Sequence, residues 1–341
     1  MKVYYPEYYH RFRCIASACP DSCCKEWTVD VDGASAALYR SLAGSLGDRL
    51  RQVLKDTDDG TVMEIENGRC PMWREDGLCR IQAELGHDAL CETCRNFPRL
   101  RHDYGNFVEL GLELSCPEAA KWILADSGSD FLVEERDGGE TPDYDPEDMR
   151  ILAESRNEVL AFLQNSEYTV PESLAVLLMY GYSAQSLLDG GEGERLNAGA
   201  CLAEARRFAD AADLSGFLDF FKGLEILSED WSKRLASPAA ALCWSEELRA
   251  ASRYFVQRYW LQAVSDLDLV SRVKLTVASC LLIAALGGEP VQTAQQYSKE
   301  IENNWDNVDA ILDGAYAAPA LTDRNLLSLL LNPDGADPAL E

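Results

Sequence analysis

Cys14-Ile-Ala-Ser-Ala-Cys-Pro-Asp-Ser-Cys-Cys-Lys-Glu-Trp27 places four thiols within eleven residues. Five more follow at Cys70, Cys79, Cys91, Cys94 and Cys116, so nine of the twelve cysteines fall by residue 116 of a 341-residue chain. The N-terminus, Met1-Lys-Val-Tyr-Tyr-Pro-Glu7, lacks the basic-then-apolar layout of a secretory leader, and a cytoplasmic location is expected. Thiols stay reduced in that compartment, so a cluster of them favours metal ligation over a disulfide framework. Cys201, Cys243 and Cys280 lie apart in apolar surroundings, where a reduced cysteine packs as a small hydrophobe.

The spacing narrows the metal chemistry. Structural zinc sites pair one Cys-x-x-Cys knuckle with another, and only Cys91-Glu-Thr-Cys94 has that form. The Cys-x2-Cys-x2-Cys run of bacterial ferredoxins is absent. The Cys-x3-Cys-x2-Cys triplet of radical-SAM enzymes is only half matched by Cys19-Pro-Asp-Ser-Cys23. Neighbouring side chains diverge on a helix or strand, so Cys23 and Cys24 rarely serve one metal together. Packed thiolates repel, and a metal cation, an iron–sulfur core or nearby Arg95, Arg99 and Arg101 could supply the compensating charge. The three histidines, His10, His87 and His102, are too few for a histidine-rich catalytic metal centre, and His87 after Gly86 suits a helix end.

Around this stretch the chain divides into a mostly helical α+β protein. Residues 1–125 form a Cys-rich module, residues 126–146 an acidic, Gly- and Pro-rich linker or loop, and residues 147–341 a helical domain. Leu38, Leu42, Leu46, Leu50 and Leu54 recur at four-residue steps and predict one amphipathic helix over 34–54. Strands are expected near 27–31 and 61–65, a hairpin over 101–114 turning at Tyr104-Gly-Asn106, and a helix restarting at Pro117. Later helices are expected near 147–165, 171–188, 193–211, 213–229, 245–263, 267–286, 290–304 and 321–331. The apolar run Val277–Leu286 is too short to span a bilayer and reads as a buried helix, so no membrane partner is expected. Gly-x-Gly-x-x-Gly occurs nowhere, which excludes a Rossmann-type cofactor loop.

The net charge is −27, with 15 Lys/Arg against 20 Asp/Glu in 1–125 and 16 against 38 in 126–341. Phosphates would be repelled, which argues against nucleic acid; a basic or lysine-presenting protein would be tolerated. Such acidity also serves solubility alone.

Several segments together resemble the N-terminal signature of the flagellin lysine-N-methylases. They are Phe12-Arg-Cys14, Cys19-Pro-Asp-Ser-Cys-Cys24 with Trp27-Thr-Val-Asp-Val31, Arg69-Cys-Pro-Met-Trp73 and Gly77-Leu-Cys-Arg-Ile81. Leu90-Cys-Glu-Thr-Cys-Arg-Asn-Phe-Pro-Arg99 and Leu114-Ser-Cys-Pro-Glu-Ala-Ala120 complete the set. The same Cys-rich element occurs in zinc- or iron-chelating proteins. The resemblance implies transfer of a methyl group from S-adenosylmethionine to lysines of flagellin or a similar protein, with a cysteine-held 4Fe–4S cluster, zinc being the alternative. It carries metal ligation onto Cys14, Cys19, Cys23, Cys24, Cys70, Cys79, Cys94 and Cys116, with Cys19, Cys23, Cys79 and Cys94 as first choice for the cluster. Cys24 and Cys70 stand next, and Cys91 falls outside the set.

The reaction sets its own demands. A lysine amine is about 99.9% protonated at pH 7, and only its neutral form attacks a sulfonium. A site must remove or suppress that proton and hold nitrogen, methyl carbon and sulfur in line. Glu109 and Glu113, on one side of the expected strand, are candidate proton acceptors; otherwise they are solvated strand positions. The competing reading is a non-catalytic module stapled by zinc or iron, whose acidic helices bind a partner.

Overall fold

The computed structural model describes residues 1–332 except Glu26, Asp59, Ser129, Asp130 and Ser166. Residues 129 and 130 of the expected linker and 333–341 of the expected helical domain therefore lie outside the described residues.

The chain opens with β1 (Lys2–Tyr5), then β2 (Val29–Val31), α1 (Gly33–Ser41), α2 (Gly44–Val53), β3 (Leu54–Thr57) and β4 (Gly60–Met63). Next come the short helices α3 (Arg80–Leu85) and α4 (Glu92–Asn96), the hairpin β5 (Arg99–Asp103) and β6 (Phe107–Leu112), α5 (Pro117–Leu124) and β7 (Leu132–Glu135). The helical body follows as α6 (Pro146–Leu163), α7 (Val170–Leu188), α8 (Ala198–Phe208), α9 (Leu214–Lys222), α10 (Glu229–Ala236) and α11 (Glu246–Tyr259). It closes with α12 (Leu269–Leu286), α13 (Pro290–Tyr297), a wide π turn at Ser298–Glu302, α14 (Trp305–Ala317) and α15 (Asp323–Leu331). The fold is α+β and mostly α.

Capping chemistry sets most boundaries. The Asp32 side chain accepts from Ser35 N at 2.9 Å to start α1. Thr169 and Glu172 form a reciprocal capping box on α7, with Pro171 in its first turn. Gly287, at φ +59°, stops α12.

Among the described residues two sheets order the strands β5-β6-β1-β7 and β2-β4-β3. In the first, β1 runs parallel to β6, with Val3 opposite Val108, while β7 and β5 pair antiparallel at the edges. β7 falls within the expected acidic linker or loop over 126–146: Leu132 and Val133 are exposed, so its strand character rests on backbone pairing to β1 and leaves no buried apolar pattern.

The hydrophobic cores divide elsewhere than at the linker. One cluster joins Val3, Tyr5, Phe12, Val108, Leu112 and Leu114 to the body, where Trp231, Phe255 and Trp260 are fully buried. Full burial of side chains of this size is worth about 1.5–3 kcal/mol or more each. A second, smaller cluster holds Val29, Tyr39, Leu46, Leu50, Met63, Met72, Ile81, Leu90 and Cys91. The Cys-rich region thus splits, its middle packing on itself and its ends packing on the helices.

Other expectations shift in detail. The helix over 34–54 is two helices. Leu42 is extended, Gly44 takes φ +79°, and Arg51 Nη1 donates to the freed Leu42 carbonyl at 2.6 Å; Leu38 is left exposed. The helix over 213–229 is α9 alone, and α10 begins only at Glu229. The helix over 290–304 opens into the π turn after Tyr297, and α14 was not foreseen. α12 has the length and hydropathy to cross a membrane, but every residue of it is buried in the body, as read for its apolar run.

Candidate functional site

Two adjoining features stand out, a thiol-lined cavity and a large cleft behind it. The cavity, about 20 Å³, is lined by Cys23, Cys24, Cys70, Cys79, Cys91 and Cys94 with Val29, Tyr39, Met63, Met72, Ile81 and Leu90. Local backbone geometry converges the sulfurs. Cys70 N donates to Cys24 O at 2.7 Å, and isolated bridges join Lys25 to Arg69 and Trp73 to Cys79. Cys79 caps α3. Cys91 caps α4, and Cys94 follows one turn later on the same face. Tyr39 OH donates to Ala89 O at 2.8 Å and holds the approach to α4.

Among the described residues no lysine or arginine lines this cavity. The compensation expected from Arg95, Arg99 and Arg101 is therefore not supplied there: Arg95 is exposed, Arg99 faces the Tyr9 and Phe12 rings, and Arg101 pairs with Asp103 at 2.5 Å. The thiols sort themselves instead. Hydrogen bonds from Cys23 and then Cys70 hold Cys24 down to about 3, while Cys23 and Cys70 rise in consequence. Cys94 likewise brings Cys91 down to about 7 and is itself raised, and burial raises Cys79.

Among the described residues no group of three or more His, Cys, Asp or Glu side chains is arranged so that it could hold a metal ion. The six sulfurs share a cavity without closing around a centre. The donor chemistry nevertheless fits a soft metal, iron or zinc, whose binding would displace the protons these thiols retain. The space matches one water-sized body.

Five of the eight carried-over cysteines meet here, and Cys91, outside that set, joins them. Cys14, Cys19 and Cys116 do not line the cavity. Cys14 is exposed, burial raises Cys19, and burial pushes Cys116 up to about 11. Among the isolated cysteines, Cys280 is buried and Cys201 half-buried, whereas Cys243 is exposed in a loop rather than packed. His87 is exposed just after the end of α3, where Gly86 takes φ +88°.

The cleft occupies about 1180 Å³ between β2, β4 and α4 on one side and β5, α11, the π turn and the start of α14 on the other. α4 links the two features. Cys91 and Cys94 face the cavity, while Glu92, Thr93 and Asn96 face the cleft. Glu92 N donates to Asp32 Oδ2 and Thr93 Oγ1 to Asp30 O, both at 2.9 Å, pinning α4 to β2 and α1. Trp27 Nε1 donates to Cys23 O at 2.8 Å, and its ring lies 6.1 Å from that of Phe97 on the cleft wall.

A buried polar network forms the cleft floor. Glu302, on the π turn, accepts from Tyr259 OH at 2.9 Å and pairs with Arg258 Nε at 3.4 Å, and Arg258 Nη1 donates to Tyr254 OH at 2.6 Å. Burial and the Arg258 charge push His102 down to about 4, and among the described residues its buried Nε2 has no hydrogen-bond partner.

The two candidate carboxylates part company. Glu109 is buried in a bidentate pair with Arg156, at 2.6 and 2.8 Å, and lies outside the cleft lining. Glu113 lines the cleft, accepts from Ser115 Oγ at 3.0 Å, and is raised chiefly by burial. Neither is a solvated strand position. His102, Arg258 and Glu302 escape the sequence reading, His102 leaving only its register opposite Glu109 across the hairpin, whereas Cys91, outside the carried-over set, is signalled by the Cys91-Glu-Thr-Cys94 spacing.

A lysine-N-methylase of Salmonella typhimurium is 35% identical over 136 residues, 38% of this chain and 34% of that protein. Flagellar biosynthetic protein FliU of Salmonella muenchen is 34% identical over 138 residues, 38% of this chain and 82% of that protein. A lysine-N-methylase of Salmonella choleraesuis is 35% identical over 136 residues. The chain therefore matches about a third of the length of the lysine-N-methylases and four-fifths of FliU. No family model and no solved structure matches it.

Proposed function

The chain belongs to the family that includes lysine-N-methylase and the flagellar biosynthetic protein FliU, and from that membership we propose that it is a protein-lysine N-methyltransferase. It takes a methyl group from S-adenosylmethionine to lysines of flagellin or another lysine-presenting protein in the cytoplasm. The observation that carries this reading is the 35% identity to lysine-N-methylase. The geometry supports it through a cleft large enough for a protein segment beside a convergence of six thiols.

Cys23, Cys24, Cys70, Cys79, Cys91 and Cys94 would hold the metal: a single zinc or iron ion matches the space as it stands, and a 4Fe–4S core would need these sulfurs to move apart. When bound, that group supplies positive charge and rigidity to the shared wall. The chain's own residues do the rest. α4 and β2 keep the cleft open, the Arg258–Glu302–Tyr259 network fixes its floor, and Glu113 and His102 offer polar atoms at the end of the approach. The size of the cavity, room for one ion, specifically favours a second reading in which zinc only staples the module and the acidic helices bind a partner.

Anaerobically purified protein separates the two. Iron with broad visible absorption from thiolate–iron charge transfer, together with lysine mass shifts on flagellin incubated with S-adenosylmethionine, is the expected result. Stoichiometric zinc in a colourless protein, with no transfer, overturns the enzyme reading.

A further inference from the structure

The cleft exceeds the roughly 300–1,000 Å³ of ordinary small-molecule pockets. Its lining carries six carboxylates, Asp30, Asp32, Glu92, Glu113, Glu302 and Asp306, against three guanidiniums. Of those, Arg258 is paired with Glu302 and Arg101 with Asp103. β5 is an edge strand, and among the described residues the backbone of Arg99–Asp103 hydrogen-bonds to β6 alone. Arg99, Leu100, Arg101 and His102 all line the cleft, so this open edge runs along its wall. Trp305 stands 66% exposed at the rim, opposite Trp27 and Phe97.

An open strand edge recruits an extended chain, carboxylates select a basic one, and rim aromatics hold its side-chain stems. A second copy of this chain, at −27, is a poor occupant on charge grounds, and nucleic acid is worse. At the floor Glu302 is engaged by Arg258 and two tyrosine hydroxyls, whereas Glu113, though within reach of the Arg258 charge, accepts among the described residues from Ser115 Oγ alone. An arriving ammonium therefore finds its carboxylate partner in Glu113.

Building on the methyltransferase reading, we propose that this cleft receives an extended, lysine-bearing segment of the acceptor protein, laid along the edge of β5, with Trp305 and Asp306 gripping it at the rim and Glu113 pairing with the target lysine.

The test is calorimetric binding to the full chain, without methyl donor, of a synthetic flagellin peptide carrying one lysine and of the same peptide with norleucine in its place. The lysine peptide should bind at least tenfold more tightly. Glu113→Gln should remove that difference while leaving the norleucine peptide unaffected. Trp305→Ala should weaken both peptides about fivefold. Asp306→Lys, at another exposed position, should weaken the lysine peptide most at low salt, as expected of a rim charge. Equal binding of the two peptides to the wild type overturns the proposal, as does unchanged binding in the three variants. A wild-type chain that binds in this pattern yet transfers no methyl group overturns the enzyme reading and supports the groove. Full-rate flagellin methylation by Glu113→Gln and Trp305→Ala overturns the groove and leaves the enzyme reading standing.

Discussion

Glu109→Gln is the substitution that best tests how the sheet is fastened to the helical body. Glu109 on β6 and Arg156 on α6 are 47 residues apart, and their side chains are only 6% and 8% exposed. Both guanidinium Nη atoms donate to the carboxylate, at 2.6 and 2.8 Å, and burial around the pair is balanced by its own attraction. Removing one charge leaves Arg156 buried without its anion, which costs about 3–5 kcal/mol. With an unfolding entropy of roughly 2.1 cal/mol/K per residue, 341 residues give about 0.7 kcal/mol/K, so Tm should fall by about 4–7 °C. The double variant Glu109→Leu/Arg156→Met replaces the pair with apolar groups and should recover most of that loss. Thermal melts of the three proteins by circular dichroism provide the measurement. A Tm within about 1 °C of wild type for Glu109→Gln would refute the clamp. Loss of methyl transfer without loss of stability would return Glu109 to the role of proton acceptor.

The remaining predictions concern the thiols, the imidazole and a glycine. Cys24→Ser and Cys94→Ser should each remove more than half of the bound iron or zinc measured by plasma mass spectrometry, while the exposed Cys243→Ser should retain it; the reverse result would move the metal away from this cavity. His102 is neutral in the fold down to pH about 4, held there by burial and Arg258 against the pull of Glu109, whereas the unfolded chain takes up that proton near 6.5. Its contribution is therefore complete above pH 6.5, declines by roughly 3 kcal/mol as pH falls to 4, and is flat below. Urea titrations across that window should show a shallower decline in His102→Gln. Gly287→Ala puts a Cβ at φ +59°, 2.9 Å from Ala239 Cβ and 3.2 Å from Cys243 Sγ, and should cost about 1–3 kcal/mol in the same titrations.

Local chemistry made much of this fold readable. The β5–β6 hairpin turns at Tyr104-Gly-Asn106, where Gly105 takes φ +79°, and Pro117, Pro171 and Pro290 sit in first helical turns. Each depends on a residue whose backbone preference is decided within a few bonds. What was not readable shares a different cause. β7 is held by hydrogen bonds to β1, at the other end of the module, and α14 is a helix whose boundary rests on the Asn304 side chain and on packing against α12. The four-residue leucine pattern is genuine, yet an extended Leu42 and the positive φ of Gly44 interrupt the helix that it suggests.

The abundance of early thiols, the acidic surface and the order of the Cys-containing segments are properties of the linear chain, and they alone led to soft-metal chemistry and to a lysine-methylase likeness. Which sulfurs share a cavity was decided in three dimensions, because the bridges from Lys25 to Arg69 and from Trp73 to Cys79 bring together segments that spacing rules treat separately. The same folding joined Cys91 to the group and left Cys14, Cys19 and Cys116 outside it. It also turned Glu109 inward to Arg156 and left Glu113 on the cleft. Two carboxylates four residues apart on one side of a hairpin look alike in sequence, and only the helices packed against them distinguish a buried ion pair from a binding group.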